Sequence, residues 1–332
     1  MPQETLVAVQ RSMRLIVALA AALAIAANAA AQTYPTRPVT VVVGFAPGGG
    51  TDTVARVMQR KLGEYLGQSI VVENRAGAGG AIAADVVAKA APDGYTILLA
   101  TIAALAVAPH LNSKLPYNPL RDFAPISMAT VSGNVLVVNP SLQARTLAEY
   151  VKEANSLPGG ISYGTSGIGS AGNLAGELFR LMAKANLIHV PYKGGGPAMS
   201  DLLGGQIPSV FASATTAVPQ VKAGKLRALG TTGAKRSATM PDVPTIAEQG
   251  YPGYEATNWY AFVAPARTPK DIVARLNRDI VKTLNDPATH EALFKQGEEP
   301  TPSTPEELAK HIEREHATWG RVIREAGIPV EQ

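Results

Sequence analysis

The 332-residue chain contains no cysteine. That absence excludes disulfides, thiol nucleophiles and cysteine-ligated metals, and it suits an oxidising compartment where stray thiols are a hazard. Charge is also sparse: 17% of residues are charged, the net charge is +4, and no block of Lys or Arg occurs, so nucleic acid is not an expected partner. The five histidines offer no catalytic or metal-binding spacing. His311 and His316 point to different faces of one charged helix, His290 lies in another, and His110 and His189 stand alone. No H-E-x-x-H motif or carboxylate cage appears, so neither a metal nor a cofactor is expected.

Apolar residues make up 46% of the chain, enough for sizeable cores, and 5% aromatics with 31 glycines lean toward α/β architecture. The N-terminus reads as an address. Arg11 and Arg14 precede an apolar run from Leu15 to Ala27, followed by Ala29-Ala30-Ala31, the three-part pattern of a secretory signal over residues 1–31. The run is too short to span a bilayer comfortably. The mature chain is expected to be exported, with cleavage near Ala31, and soluble in the periplasm.

The rest is organised around Val39–Val54. A β-branched run, Val39 to Val43, breaks at Pro47 and Gly48-Gly49-Gly50, and a helix follows with Val54, Met58, Leu62 and Leu66 at helical spacing. A strand that ends in a glycine loop and opens a helix aims backbone N–H groups and a positive dipole end at one point, which attracts an anion. No Lys-Ser or Lys-Thr follows the last glycine, so this is not a Walker loop. Asp52 is expected to cap the helix.

The same grammar repeats. Strands are predicted at Ile70–Val72 and Tyr95–Leu99, with a glycine loop at Gly77–Gly80 and a helix over Ala81–Ala90 between them. A short apolar helix follows at Ala103–Leu111, and an irregular connection over Pro116–Pro125. A second cycle runs from about residue 135 to 250. Trp259–Val263 then reads as a strand returning to the first block, followed by helices beginning near Pro269, Pro287 and Pro305. Alternating strands and helices predict parallel, doubly wound sheets. Two crossing segments, near Thr130–Asn134 and Tyr254–Asn258, divide the chain into lobe one (32–132 and 256–332) and lobe two (133–255).

Lobe two has its own glycine-rich helix start, Tyr163-Gly-Thr-Ser-Gly-Ile-Gly-Ser-Ala-Gly172. In doubly wound sheets ligands bind outside the carboxyl ends of the strands, where both loops lie. Gly167-x-Gly169-x-x-Gly172 matches the dinucleotide fingerprint formally, but no acidic residue follows about 20 residues on to take a ribose hydroxyl. A nucleophile elbow at Ser166 would need glycine where Ile168 stands. The residues present point to binding. An exported serine hydrolase using Ser166 is the alternative.

Several motifs carry a family resemblance: Tyr34-Pro-Thr-Arg-Pro38, Pro47-Gly-Gly-Gly-Thr-Asp52, Val72-Glu-Asn-Arg-Ala-Gly-Ala-Gly-Gly80, Ala91-Pro-Asp-Gly-Tyr95, Leu115–Pro125, Gly164–Phe179, Val190-Pro-Tyr-Lys-Gly194 and Asp201–Gln206. With these the chain resembles the Bug family of extracytoplasmic solute receptors, the binding components of tripartite tricarboxylate transporters. The resemblance implies a two-lobed, flytrap-like periplasmic binding protein (type II) that holds a small carboxylate between the two glycine-rich helix starts. It also implies membrane permease subunits as partners. A monomer is expected.

The departures from the family pattern suggest a less polar pocket. Ile102, Ala103 and Leu105 replace polar residues, Asn173 stands where histidine is common, and Ala212 stands where an aspartate is common. A carboxylate without an amine and with an apolar body is therefore expected. The residues expected at the ligand are Phe45, Gly48, Gly49, Asp52 and Thr101 from lobe one. From lobe two they are Thr165, Ser166, Gly167, Gly169, Ser170, Tyr192 and Ser213.

Overall fold

The computed structural model describes Met13 and residues 34–325. The secretory signal read over residues 1–31, with its cleavage point, lies outside the described residues. In lobe one, β1 (Val39–Val43) leads to α1 (Gly50–Leu66), β2 (Ile70–Asn74), α2 (Ala81–Ala88) and β3 (Thr96–Thr101). A π-helical turn at Ala103–Val107 continues into the short α3 (Ala108–Leu111). The 16-residue strand β4 (Phe123–Val138) then runs into lobe two. There α4 (Leu147–Ser156), β5 (Ile161–Thr165), α5 (Ala171–Ala183), β6 (Leu187–Pro191), α6 (Gly195–Leu203), β7 (Ser209–Ser213), α7 (Ala214–Lys222) and β8 (Arg227–Thr231) follow. The chain returns through β9 (Thr257–Pro265), and α8 (Lys270–Leu284), α9 (Pro287–Lys295), β10 (Glu299–Pro300) and α10 (Pro305–Glu325) complete lobe one.

The strands form one continuous, curled path, β2-β1-β3-β9-β4-β7-β5-β6, with β8 and β10 added to β4. Parallel pairing holds for β2-β1-β3 and for β6-β5-β7, as the alternating pattern predicts. The two strands between these trios are antiparallel to their neighbours, so neither sheet is purely parallel. The irregular connection predicted up to Pro125 gives way earlier, since β4 already begins at Phe123. Pro125 is tolerated because the register with β9 shifts between Pro125 and Ser127, a bulge at which the missing N–H costs no ladder bond.

Strand β4 belongs to both lobes. Its residues 123–133 pair with β9, and Asn134–Val138 pair with β7 and β8. The return crossing passes Ala256. Both crossings meet at the fully buried Thr232. Its backbone exchanges bonds with Asn134 O and Ala256 N, while its hydroxyl donates to Ala256 O (2.6 Å) and accepts from Asn134 N (2.8 Å).

Period-two alternation sorts the lobe-two cores. Leu136, Val138 and Phe211 face one apolar layer with Tyr150, Tyr163 and Phe179, whereas Val135, Val137, Val210 and Ala212 face the other with Leu202 and Val218. In lobe one, Leu98, Leu105, Trp259, Leu308 and Ile312 share a core that closes under α10. Each fully buried large side chain contributes roughly 1.5–3 kcal/mol. These layers hold the strand ends rigid where the lobes meet.

Candidate ligand site

The two glycine loops face each other across the cleft between the lobes. Helix α1 starts at Gly50 with Gly49 as a cap that has no side chain to offer. Helix α5 starts after Ser170, whose hydroxyl accepts from Asn173 N. The first residue of α6, Gly195, and the Ser213 cap of α7 stand at the same place. Four helix N-termini thus converge on one small cavity. Each positive end favours an anion by about 0.3–1 kcal/mol when exposed, and by up to about 2 when partly buried.

Strand pairing builds the polar wall of that cavity. Thr101 of β3 lies opposite Tyr260 of β9, Asn258 lies opposite Ser132, and Asn134 of β4 lies opposite Ser213 of β7. Thr101, Asn134, Ser213, Asn258 and Tyr260 all line the cavity, with Gly50, Thr51, Ser166, Ser170 and Gly172. Among the described residues, no charged side chain lines it. Burial pushes the Tyr260 hydroxyl far above its usual range, so it remains a neutral donor, within reach of Asn258, Thr51 and Ser213.

Two of these groups lack a protein partner. Thr101 Oγ1 and Asn134 Nδ2 are buried and make no hydrogen bond, although Thr101 is only 6% and Asn134 2% exposed. A buried polar group without a partner costs about 1–3 kcal/mol. Both can donate to an acceptor oxygen in the cavity, and the amide N–H can do nothing but donate.

The close approach of Gly50 explains why glycine stands there. A Cβ at Gly50 would meet Tyr260 Oη at 2.3 Å and Ser213 Oγ at 2.8 Å. Gly172 is equally confined, since a Cβ there would collide with the Phe211 carbonyl oxygen. Helix α1 therefore presents its first turn without side-chain shielding.

Beside this polar cavity lies a larger, mainly apolar annex, and the two share Phe45 and Ser166 as walls. Phe45, Thr101, Ser166, Ser170 and Ser213 line the polar cavity, while Phe45, Ser166, Gly167, Gly169 and Tyr192 line the annex. The other expected ligand residues border neither space. Gly48 and Gly49 shape the turn beside Gly195 and Gly196. Thr165 is fully buried, its hydroxyl bonded to His189 Nε2 (2.7 Å) and to the Gly167 amide.

Asp52 is not the cap of α1 but its third residue. It accepts from Gly48 N (2.9 Å), Arg56 Nε (2.9 Å) and Asn74 Nδ2 (3.0 Å), and Asn74 also holds the Phe45 carbonyl. Burial by itself would raise this carboxyl, but the Arg56, Gly48 and Asn74 bonds outweigh it and keep it below the usual range. Asp52 is thus an ionised knot that fixes the loop.

Three residues expected to make the pocket apolar do not face it. Ile102 and Leu105 are buried in the lobe-one core, and only Ala103 reaches the annex. Ala212 sits on the opposite face of β7 from Ser213, among Val135, Met199 and Val218, so it could not have carried a partner for a ligand amine. Conversely, Gly50, Thr51, Asn134, Asn258 and Tyr260 were not singled out from the sequence. Polar residues at alternate positions of an apolar strand, as in Thr257-Asn-Trp-Tyr260, were the available signal.

Ser166 has no histidine partner among the described residues. The nearby His189 is bonded to Thr165 and, through Nδ1, to Asn173 (3.3 Å), and burial lowers its pKa, keeping the ring neutral.

A family profile described as "Tripartite tricarboxylate transporter family receptor" matches residues 54–328. Protein BugT of Bordetella pertussis is 42% identical over 304 residues, covering 91% of this chain and 93% of BugT. The structure of the periplasmic binding protein BugD superposes with a TM-score of 0.87 at 35% identity, over 90% of this chain and all of BugD. A structure of R. palustris Rpa4515 with adipate gives the same TM-score at 38% identity, again over 90% of this chain and all of that one.

Proposed function

Since the chain belongs to the tripartite tricarboxylate transporter family of receptors, the Bug solute-binding proteins, we propose that it captures a small organic carboxylate between its lobes and passes it to a membrane permease or a sensor. One observation carries this reading. Four helix N-termini and two unpartnered buried polar groups surround a cavity that no charged side chain lines. One carboxylate completes those groups and replaces the missing negative charge. Charge-assisted hydrogen bonds contribute about 1.5–3 kcal/mol each, so four or five reach the roughly 8 kcal/mol of a micromolar ligand without an arginine. The adipate held by Rpa4515 belongs to the same chemical class.

In this reading residues 133–255 move as lobe two against the remainder, and the protein acts as a periplasmic monomer without catalysis. The experiment is calorimetry of the mature protein with carboxylates and their matched carboxamides. Carboxylates should bind at least about tenfold more tightly, which is about 1.4 kcal/mol. Equal affinity for acid and amide would refute an anion site.

A further inference from the structure

The annex sets what lies behind the carboxylate. Its walls carry Ala81, Ala103, Ala108, Leu111, Leu115 and Ile168 beside the Phe45 ring. The hydroxyl of Tyr192 is turned to Asp201 (2.8 Å), which leaves its ring as the lining surface. No acidic side chain lines either space, and the one charged residue at the annex, Lys193, is exposed. A ligand ammonium in either space would lack a counter-charge, which is costly once the cleft excludes water.

Resting on the carboxylate reading above, we infer that the ligand is an amine-free carboxylate with an apolar body of six or so carbons or an aromatic ring, head in the polar cavity and body in the annex. Small polar acids fill the first space and leave the second to water. The residues that select the body are those of the annex, Ala108 and Leu111 foremost, and they are separate from the groups that hold the head. Lys193 is too exposed to select strongly for a second carboxylate, since surface ion pairs contribute little.

The test is calorimetry of the mature protein with propionate, malate, glutamate, hexanoate and benzoate. Each methylene buried in the annex is worth about fourfold in affinity. Hexanoate should therefore bind roughly 10–60-fold more tightly than propionate, and benzoate should also exceed malate and glutamate. Ala108→Phe, at a half-buried position lining the annex, should erase the hexanoate advantage over propionate while leaving propionate binding within about threefold. Malate or glutamate binding as tightly as hexanoate would overturn the inference while sparing the carboxylate receptor. So would an unchanged hexanoate-to-propionate ratio in Ala108→Phe. Failure of all five acids to bind would overturn both.

Discussion

The backbone N–H of Ala46 in lobe one donates to the carbonyl of Lys193 in lobe two, across the cleft, at 3.1 Å. Around it the loop Pro47–Gly49 lies against Gly194–Gly196 so closely that a Cβ on Gly196 would stand 2.6 Å from the Pro47 carbonyl, and one on Gly194 2.9 Å from Ala46 N. Backbone meets backbone here because glycines stand on both sides. Parting the lobes would break this contact, so it favours their closed arrangement when a ligand also bridges them.

Closure should therefore be visible in solution. Small-angle scattering is expected to give a smaller radius of gyration with saturating hexanoate than without ligand. In Gly194→Val the compaction should be lost and affinity should fall about tenfold or more, since about 1.4 kcal/mol corresponds to each decade. Identical profiles with and without ligand in the wild type would show a rigid protein.

Gly50 and Gly49 should separate two roles of the first loop. Gly50→Val drives a side chain into Tyr260 and Ser213 and should abolish measurable binding, with native circular dichroism retained. Gly49→Val meets nothing nearer than Gly195 N at 3.3 Å and Ala46 O at 3.4 Å and should weaken binding less. If Gly50→Val bound normally, the anion would be held elsewhere.

Glu298 predicts a pH dependence of stability. It is fully buried, its oxygens accept from Thr130 (2.7 Å) and Ser132 (3.1 Å) on β4, and burial pushes its carboxyl from 4.5 up to about 7 despite those bonds. The native state thus holds a proton that the unfolded chain releases at lower pH. Its stabilisation is complete below about pH 4.5 and is lost as the pH rises through about 7, an effect of roughly 3 kcal/mol. Urea midpoints measured between pH 5 and 8 should fall with pH in the wild type and stay flatter in Glu298→Gln. Parallel slopes for the two proteins would contradict this.

Ala212→Asp should act on folding and not on ligand choice. It would bury an unpaired carboxylate among Val135, Met199 and Val218, which costs several kcal/mol. A drop in melting temperature, with an unchanged ranking of carboxylates in the material that folds, is the expected result. A switch toward amino acids would mean that position 212 faces the cleft after all.

The strand-and-loop pattern was legible in the sequence because its signals are local. Val39–Val43, the two glycine loops and the strand Trp259–Val263 each announce themselves within a few residues, and the structure keeps them. What sequence could not show was pairing between distant strands. Thr101 opposite Tyr260 and Asn134 opposite Ser213 make the cavity wall, yet none of the four marks its partner. The face of a strand residue was equally hidden: Ala212 and Ser213 are adjacent, but one enters a core and the other the cavity. Asp52 looked like a ligand because an acid at a helix start is exposed by default. Only the fold brings Asn74 and the Gly48 amide onto it.

Thr232 gathers the entry of lobe two at Asn134 and its exit at Ala256 onto one side chain and one peptide unit. Two tethers tied at one knot leave the lobes fewer relative orientations than two loose linkers would allow. The orientational entropy of the pair is thus surrendered when the chain folds, once, and is not charged again at each capture. Less of the binding free energy of a ligand as small as hexanoate then goes into orienting the lobes. A receptor that must release its cargo repeatedly gains a second benefit: opening restores water to the cleft without unlocking the joint.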